Sequence, residues 1–130
     1  MQYKEMTEKI IGCAYGVYNK MGFGFLESVY ENSLMIELRK NGLKAEQQKE
    51  IKVYYESEEV GVFTADIIVK NTVIVELKSI KRLIQAHEVQ LVNYLVATNK
   101  PVGLSLYLGK RKVEVNRKVK DLNLLINRKK

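Results

Sequence analysis

The runs Val60–Val69 and Val73–Leu77 are apolar and largely β-branched, and the turn residues Lys70-Asn71-Thr72 separate them. Such runs read as two strands of a hairpin. A strand with one wet face alternates apolar and polar residues, whereas these carry Ile and Val on both faces. A hairpin of this kind has to be buried on both sides, so it belongs inside a sheet that helices cover. No other feature narrows the fold as much.

The rest of the chain supplies the cover. Ile10, Ala14, Val17 and Met21 recur at helical spacing and predict a helix over Met6–Met21, which the loop Gly22-Phe23-Gly24 ends. A second helix is expected over Leu26–Lys40, with Val29, Leu34, Met35 and Leu38 on its apolar face and Gly42 as its left-handed terminator. Glu50–Glu56 alternates as a strand. A helix over Ala86–Thr98 is stopped by Pro101, the strand Val102–Leu108 follows, and Lys112–Val115 pairs back after Gly109. Asp121–Asn127 has the pattern of a short final helix. With no repeat, low-complexity tract or linker, residues 1–130 are expected to form one domain. Its order is α-α-β-β-β-α-β-β, an α/β or α+β fold with a mixed β-sheet flanked by helices.

Folding the hairpin about Asn71 sets its register. Val69 faces Val73, Ile67 faces Val75, and Asp66 faces Glu76. One face is then Ile67, Val69, Val73, Val75 and Leu77; the other carries Asp66, Ile68, Ile74, Glu76 and Lys78. Two opposed carboxylates repel, and burial strengthens the repulsion. Lys78 offsets it in part, and a divalent cation would do so better. Oxygen donors with few carboxylates suit Mg²⁺. The plainer alternative is a solvated sheet edge bearing an ion-pair cluster, against which the β-branched residues on both faces argue.

Asp66 followed by Glu76-Leu77-Lys78 resembles the PD-(D/E)XK nuclease superfamily, with Ala65 where the motif has Pro. Gln90-Leu91-Val92-Asn93-Tyr94 is similar to the Gln-x-x-x-Tyr motif of RecB-like members. Gly24-Phe25-Leu26-Glu27-Ser28-Val29-Tyr30 matches the signature of the GxxExxY family, and the match continues in order through Gly42-Leu43, Gln48, Ala65-Asp66, Val75–Lys78 and Gly103. Tyr18 stands where many members have His, so no role for that His carries over. The resemblance implies a restriction-endonuclease-like fold. It also implies that Asp66 and Glu76 bind Mg²⁺ (Mn²⁺ as a substitute) with the Leu77 carbonyl and Glu27, that Lys78 acts on the water and the transition state, and that Gln90 and Tyr94 contact nucleic acid, with Gln90 also positioning Lys78. His87, three residues before Gln90, is expected to cap the helix or lie on the surface. Tyr30 either orients Glu27 or packs in the core, and Gly22 and Gly24 make a tight interhelical turn.

The net charge of +7 sharpens the choice of partner. Residues 1–109 carry 13 Lys and Arg against 13 Asp and Glu, so the whole excess lies in the basic C-terminal segment 110–130. Lys110, Arg111, Lys112, Arg117 and Lys118 are therefore the expected phosphate contacts, on DNA first and RNA as the alternative. A solubilising tail is the competing explanation. Cys13 is the sole cysteine, which excludes an internal disulfide and a cysteine-cluster metal site and predicts a buried, inert thiol. No apolar run reaches membrane-spanning length, and the N-terminus lacks an apolar signal core, so a cytoplasmic protein is expected. The function expected is a Mg²⁺-dependent DNA nuclease, with a homodimer suggested by analogy. A nucleic-acid-binding module with little catalysis, or a regulatory interaction domain, are the alternatives.

Overall fold

A computed structural model of the chain describes residues 3–79 and 84–120. The elements run α1 (Lys4–Met21), α2 (Glu27–Lys40), β1 (Ala45–Tyr55), β2 (Glu58–Val69), β3 (Val73–Lys78), α3 (Ile84–Thr98), β4 (Val102–Leu108) and β5 (Val113–Val119). The five strands form one mixed sheet in the order β1-β2-β3-β4-β5. Only β3 and β4 are parallel, joined by the α3 crossover; the other neighbours are antiparallel. The element order is the one the sequence predicts. The helix expected over Asp121–Asn127 lies outside the described residues.

The central hairpin has the predicted register, with Ile67 opposite Val75, Ile68 opposite Ile74 and Val69 opposite Val73. Lys70 and Asn71 both take left-handed backbone, and the Thr72 N–H returns to the Val69 carbonyl at 2.9 Å. Asn tolerates that region better than most residues, so the turn sits where the sequence places it. Lys100 Nζ ties the turn down, donating to the Asn71 carbonyl at 3.1 Å and to its side chain at 2.9 Å.

The hairpin is covered on both faces. Ile67, Val69, Val73, Val75 and Leu77 pack with Ile10, Ala14 and Val17 of α1 and Leu34 and Leu38 of α2. Ile68 and Ile74 pack on the other side against Leu91 and Leu95 of α3. Cys13 is buried in the first cluster, and desolvation raises its thiol pKa, in keeping with an inert group. α2 ends as expected: Gly42 has φ +74°, and the Leu43 N–H reaches back to the Leu38 carbonyl at 2.9 Å. Tyr30 is a core residue. Its hydroxyl donates to the Gly22 carbonyl at 2.5 Å and accepts the Phe25 N–H at 3.3 Å, which holds the loop between the first two helices.

Two strands differ from expectation, and both are sheet edges. β1 starts at Ala45 rather than Glu50, because Ala45-Glu46-Gln47 pairs with the buried end of β2 although Glu46 and Gln47 are exposed. β5 runs to Val119 rather than stopping at Val115. Edge strands pair without needing the strict apolar alternation that betrays an inner strand. Residues 113–119 are accordingly part of the sheet and not a tail; the basic residues 128–130 lie outside the described residues. No described helix is long and apolar enough to cross a membrane.

Candidate active site

Beyond Ile67 and Val75 the β2–β3 ladder ends, and a side chain takes over from the backbone. Asp66 Oδ2 accepts the Leu77 N–H at 2.9 Å. In a strand, a residue's carbonyl leaves the backbone on the same side as its N–H, so the Leu77 carbonyl points the same way. Glu76, the residue opposite Asp66 in the register, is pressed into this corner. Burial is the main force on its carboxyl, followed by the charge of Asp66 and a side-chain hydrogen bond to it; Lys78 pulls the other way. The balance pushes the Glu76 pKa up to about 9, so at neutral pH the carboxyl keeps its proton. The repulsion that the sequence raises is therefore relieved, in the metal-free protein, by a proton. Glu76 Oε1 is buried and has no hydrogen-bond partner.

The pocket around this pair has a volume of about 300 Å³. One wall is polar: Asp66, Glu76 and Lys78 from the hairpin, with Ser105 of β4, which is opposite Glu76. The other wall comes from α3, where His87, Gln90, Leu91 and Tyr94 face the strands, and from Val62, Phe63 and Thr64 of β2. Tyr94 stacks on Phe63 with ring centroids 4.2 Å apart and planes 16° from parallel. α3 approaches closely because Gly103 leaves room: a Cβ there would lie 3.0 Å from Leu91 Cγ and Cδ1.

Of the residues expected at the site, the structure brings together Asp66, Glu76, Lys78, Gln90 and Tyr94, with the Leu77 carbonyl. Glu27 is not brought to the carboxylate pair. It is exposed at the start of α2, and its Oε2 accepts the Ser79 N–H at 2.8 Å and the Ser79 hydroxyl at 3.2 Å. Among the described residues no three His, Cys, Asp or Glu side chains gather closely enough to hold a metal ion. The available donor set is thus two carboxylates and a backbone carbonyl. That set fits a hard divalent cation, since Glu76 Oε1 has no hydrogen-bond partner and Lys78 offsets only part of the repulsion between the two carboxyls.

The basic residues divide. Lys110, Arg111 and Lys112 are exposed in the β4–β5 turn, at the end of the sheet where Lys78 lies opposite Tyr107. Lys118 is on the α3 face and pairs with Glu88 at 3.1 Å. Arg117, its neighbour on β5, points to the opposite face, where its Nε donates to Thr7 Oγ1 of α1 at 3.4 Å. Arg117 therefore does not share a surface with the pocket. His87 corrects another expectation: it is the fourth residue of α3, inside the helix rather than capping it, and it lines the pocket. Its spacing of three from Gln90 was the available signal. Phe63 and Ser105 carried none, since one reads as a strand apolar and the other as a small strand residue.

A five-stranded mixed sheet between helices, with Asp, Glu and Lys presented on its central hairpin, defines a restriction-endonuclease-like α/β domain. The model of the PD-(D/E)XK nuclease superfamily matches residues 4–118, and the chain belongs to that superfamily. In fold it is similar to the crystal structure of SSO0001, with a TM-score of 0.58 at 18% identity over 97% of this chain and 64% of that one. The chain thus spans a little under two thirds of that relative's length. It is also similar to an alkaline exonuclease (LHK-Exo) from Laribacter hongkongensis, with a TM-score of 0.48 at 10% identity over 93% of this chain and 86% of the other. No curated protein matches it.

Proposed function

We propose that this protein is a Mg²⁺-dependent nuclease that hydrolyses phosphodiester bonds in DNA, a GxxExxY-type member with the Gln-x-x-x-Tyr arrangement of RecB-like enzymes. Membership of the superfamily supports a nucleic-acid substrate and a divalent ion, which its nucleases generally use. One observation carries the reading. A binding module has no reason to set a half-buried Asp66 against a Glu76 carboxyl whose pKa is pushed up to about 9, with one oxygen left without a hydrogen-bond partner.

Asp66, Glu76 and the Leu77 carbonyl would hold the cation, and when bound it supplies a Lewis acid for the phosphate and a lowered pKa for a water. The chain's own groups do the rest. To serve as a ligand, Glu76 would release its buried proton to solvent. Lys78, a compact charge with three donors, orients the attacking water and offsets the charge that grows on the phosphate oxygens. Gln90, exposed at the mouth, donates to a phosphate oxygen. The Phe63–Tyr94 stack and Val62 form an apolar wall that excludes water and packs against sugar or base. Lys110, Arg111 and Lys112 hold phosphates outside the pocket.

The test is single-turnover cleavage of labelled DNA and RNA panels by wild type and Lys78→Ala, with Mg²⁺, with Mn²⁺ and in EDTA. Cleavage that requires both the ion and Lys78 supports the reading. Binding without cleavage of any substrate would instead leave a nucleic-acid-binding module.

A further inference from the structure

Among the described residues, two buried side-chain polar atoms lack a hydrogen-bond partner: Glu76 Oε1 and His87 Nδ1. Both residues line the same pocket. Leaving a buried nitrogen unpaired is unfavourable, so its presence points to a partner that arrives from outside. The cation accounts for Glu76. It does not account for His87, because no three His, Cys, Asp or Glu side chains among the described residues gather as a metal site. Glu88, the adjacent carboxylate, is already paired with Lys118.

The position of His87 narrows the missing partner. It projects from α3 at three residues from Gln90 and seven from Tyr94, on the wall facing Asp66, Glu76 and Lys78. A second, more open cavity is lined by His87, Val89, Gln90, Asn93 and Tyr94. His87 thus lines both cavities. The pocket, about 300 Å³, is at the small end of ligand sites and has room for one nucleotide unit. The group that such a unit brings between the α3 wall and Lys78 is its phosphate.

We propose that His87 is a further catalytic residue of this site, its Nδ1–H donating a hydrogen bond to a non-bridging oxygen of the scissile phosphate. The inference rests on the nuclease reading. His87 moves no proton in this role. It acts as a fixed donor, stronger toward the transition state because negative charge builds on that oxygen as the nucleophile adds.

Side-chain geometry supplies the discriminating variants. The amide nitrogen of Asn occupies the place of a histidine Nδ1, whereas that of Gln occupies the place of Nε2. In single-turnover cleavage, H87A and H87Q should each lose about 10²-fold in rate, as for loss of one transition-state donor. H87N should recover at least about tenfold over H87A, with the oligonucleotide Kd nearly the same in all four proteins. Equal rates for H87N and H87A overturn the proposal, because a donor at the Nδ1 position would then be irrelevant. A second measurement does not need cleavage. His87 is the chain's only histidine, so ¹⁵N-histidine labelling yields a single imidazole. Adding an oligothymidylate in EDTA should move its Nδ1 resonance, and a signal unmoved at millimolar oligonucleotide overturns the contact. If wild type cleaves neither DNA nor RNA the nuclease reading fails, while the imidazole titration still decides whether His87 takes a phosphate.

Discussion

Replacing Glu76 with Gln tests the buried proton directly. Gln has nearly the shape of the protonated acid but does not titrate. In the metal-free protein the folded-state pKa of Glu76 is about 9 against an unfolded value of 4.5. The folded state thus holds a proton that the unfolded state releases. This contribution to stability is complete below pH 4.5 and is lost as the pH rises toward about 9. Within that window wild type loses up to about 1.4 kcal/mol per pH unit, and the Gln variant loses none on this account. Between pH 6 and pH 8 the stability difference should therefore move by about 2–3 kcal/mol in favour of the variant. For a 130-residue domain, each kcal/mol shifts Tm by about 3–5 °C, so the two melting curves should separate by roughly 10 °C more at pH 8 than at pH 6. The assay is thermal unfolding followed by circular dichroism, in EDTA, at half-unit pH intervals. A wild-type minus Gln difference that stays flat across this range would refute the reasoning, because Glu76 would then be ionised in both states.

Four further outcomes are expected. Mg²⁺ or Mn²⁺ should raise Tm and release close to one proton per ion at pH 7, with affinity rising nearly tenfold per pH unit below about 9, measured by calorimetry in buffers of different ionisation enthalpy; affinity independent of pH contradicts it. Lys78→Ala should fold and bind DNA yet cleave about 10²–10³ times more slowly at saturating enzyme, and equal single-turnover rates remove Lys78 from the mechanism. Neutralising Lys110, Arg111 and Lys112 together should lower the slope of log affinity against log salt by up to about three, whereas Arg117→Gln, on the α1 face, should leave it unchanged; titrations at several salt concentrations separate the two. Gly103→Ala sets a Cβ 3.0 Å from Leu91 and should cost about 1–3 kcal/mol in urea unfolding while slowing cleavage, since α3 has to move off the site; an unchanged midpoint would mean α3 yields freely.

The hairpin and its charged face were legible in the sequence because local forces set them. The left-handed turn at Lys70 and Asn71 joins strands only a few residues apart, and strict alternation then decides which side each residue faces. Once Val69 met Val73, Asp66, Glu76 and Lys78 had to share a side. The order of elements followed for the same reason, from periodicities that each segment carries within itself. The edges did not. Glu46 and Gln47 of β1 and Asn116 to Lys118 of β5 bear no inward-facing pattern of their own, and only pairing with the inner strands makes them part of the sheet.

Tertiary structure alone decided how the α3 wall meets the hairpin. That His87 of α3 lines the same pocket as Glu76 depends on how closely α3 approaches the sheet, and Gly103 leaves room there for Leu91. The Phe63–Tyr94 stack, the grip of Glu27 on Ser79 and the turning of Arg117 toward Thr7 are likewise contacts between residues 31, 52 and 110 positions apart. The proton on Glu76 is also a tertiary property. Its cause is desolvation by every layer that closes over the hairpin, a sum over distant residues to which the local sequence contributes only the neighbouring charges of Asp66 and Lys78.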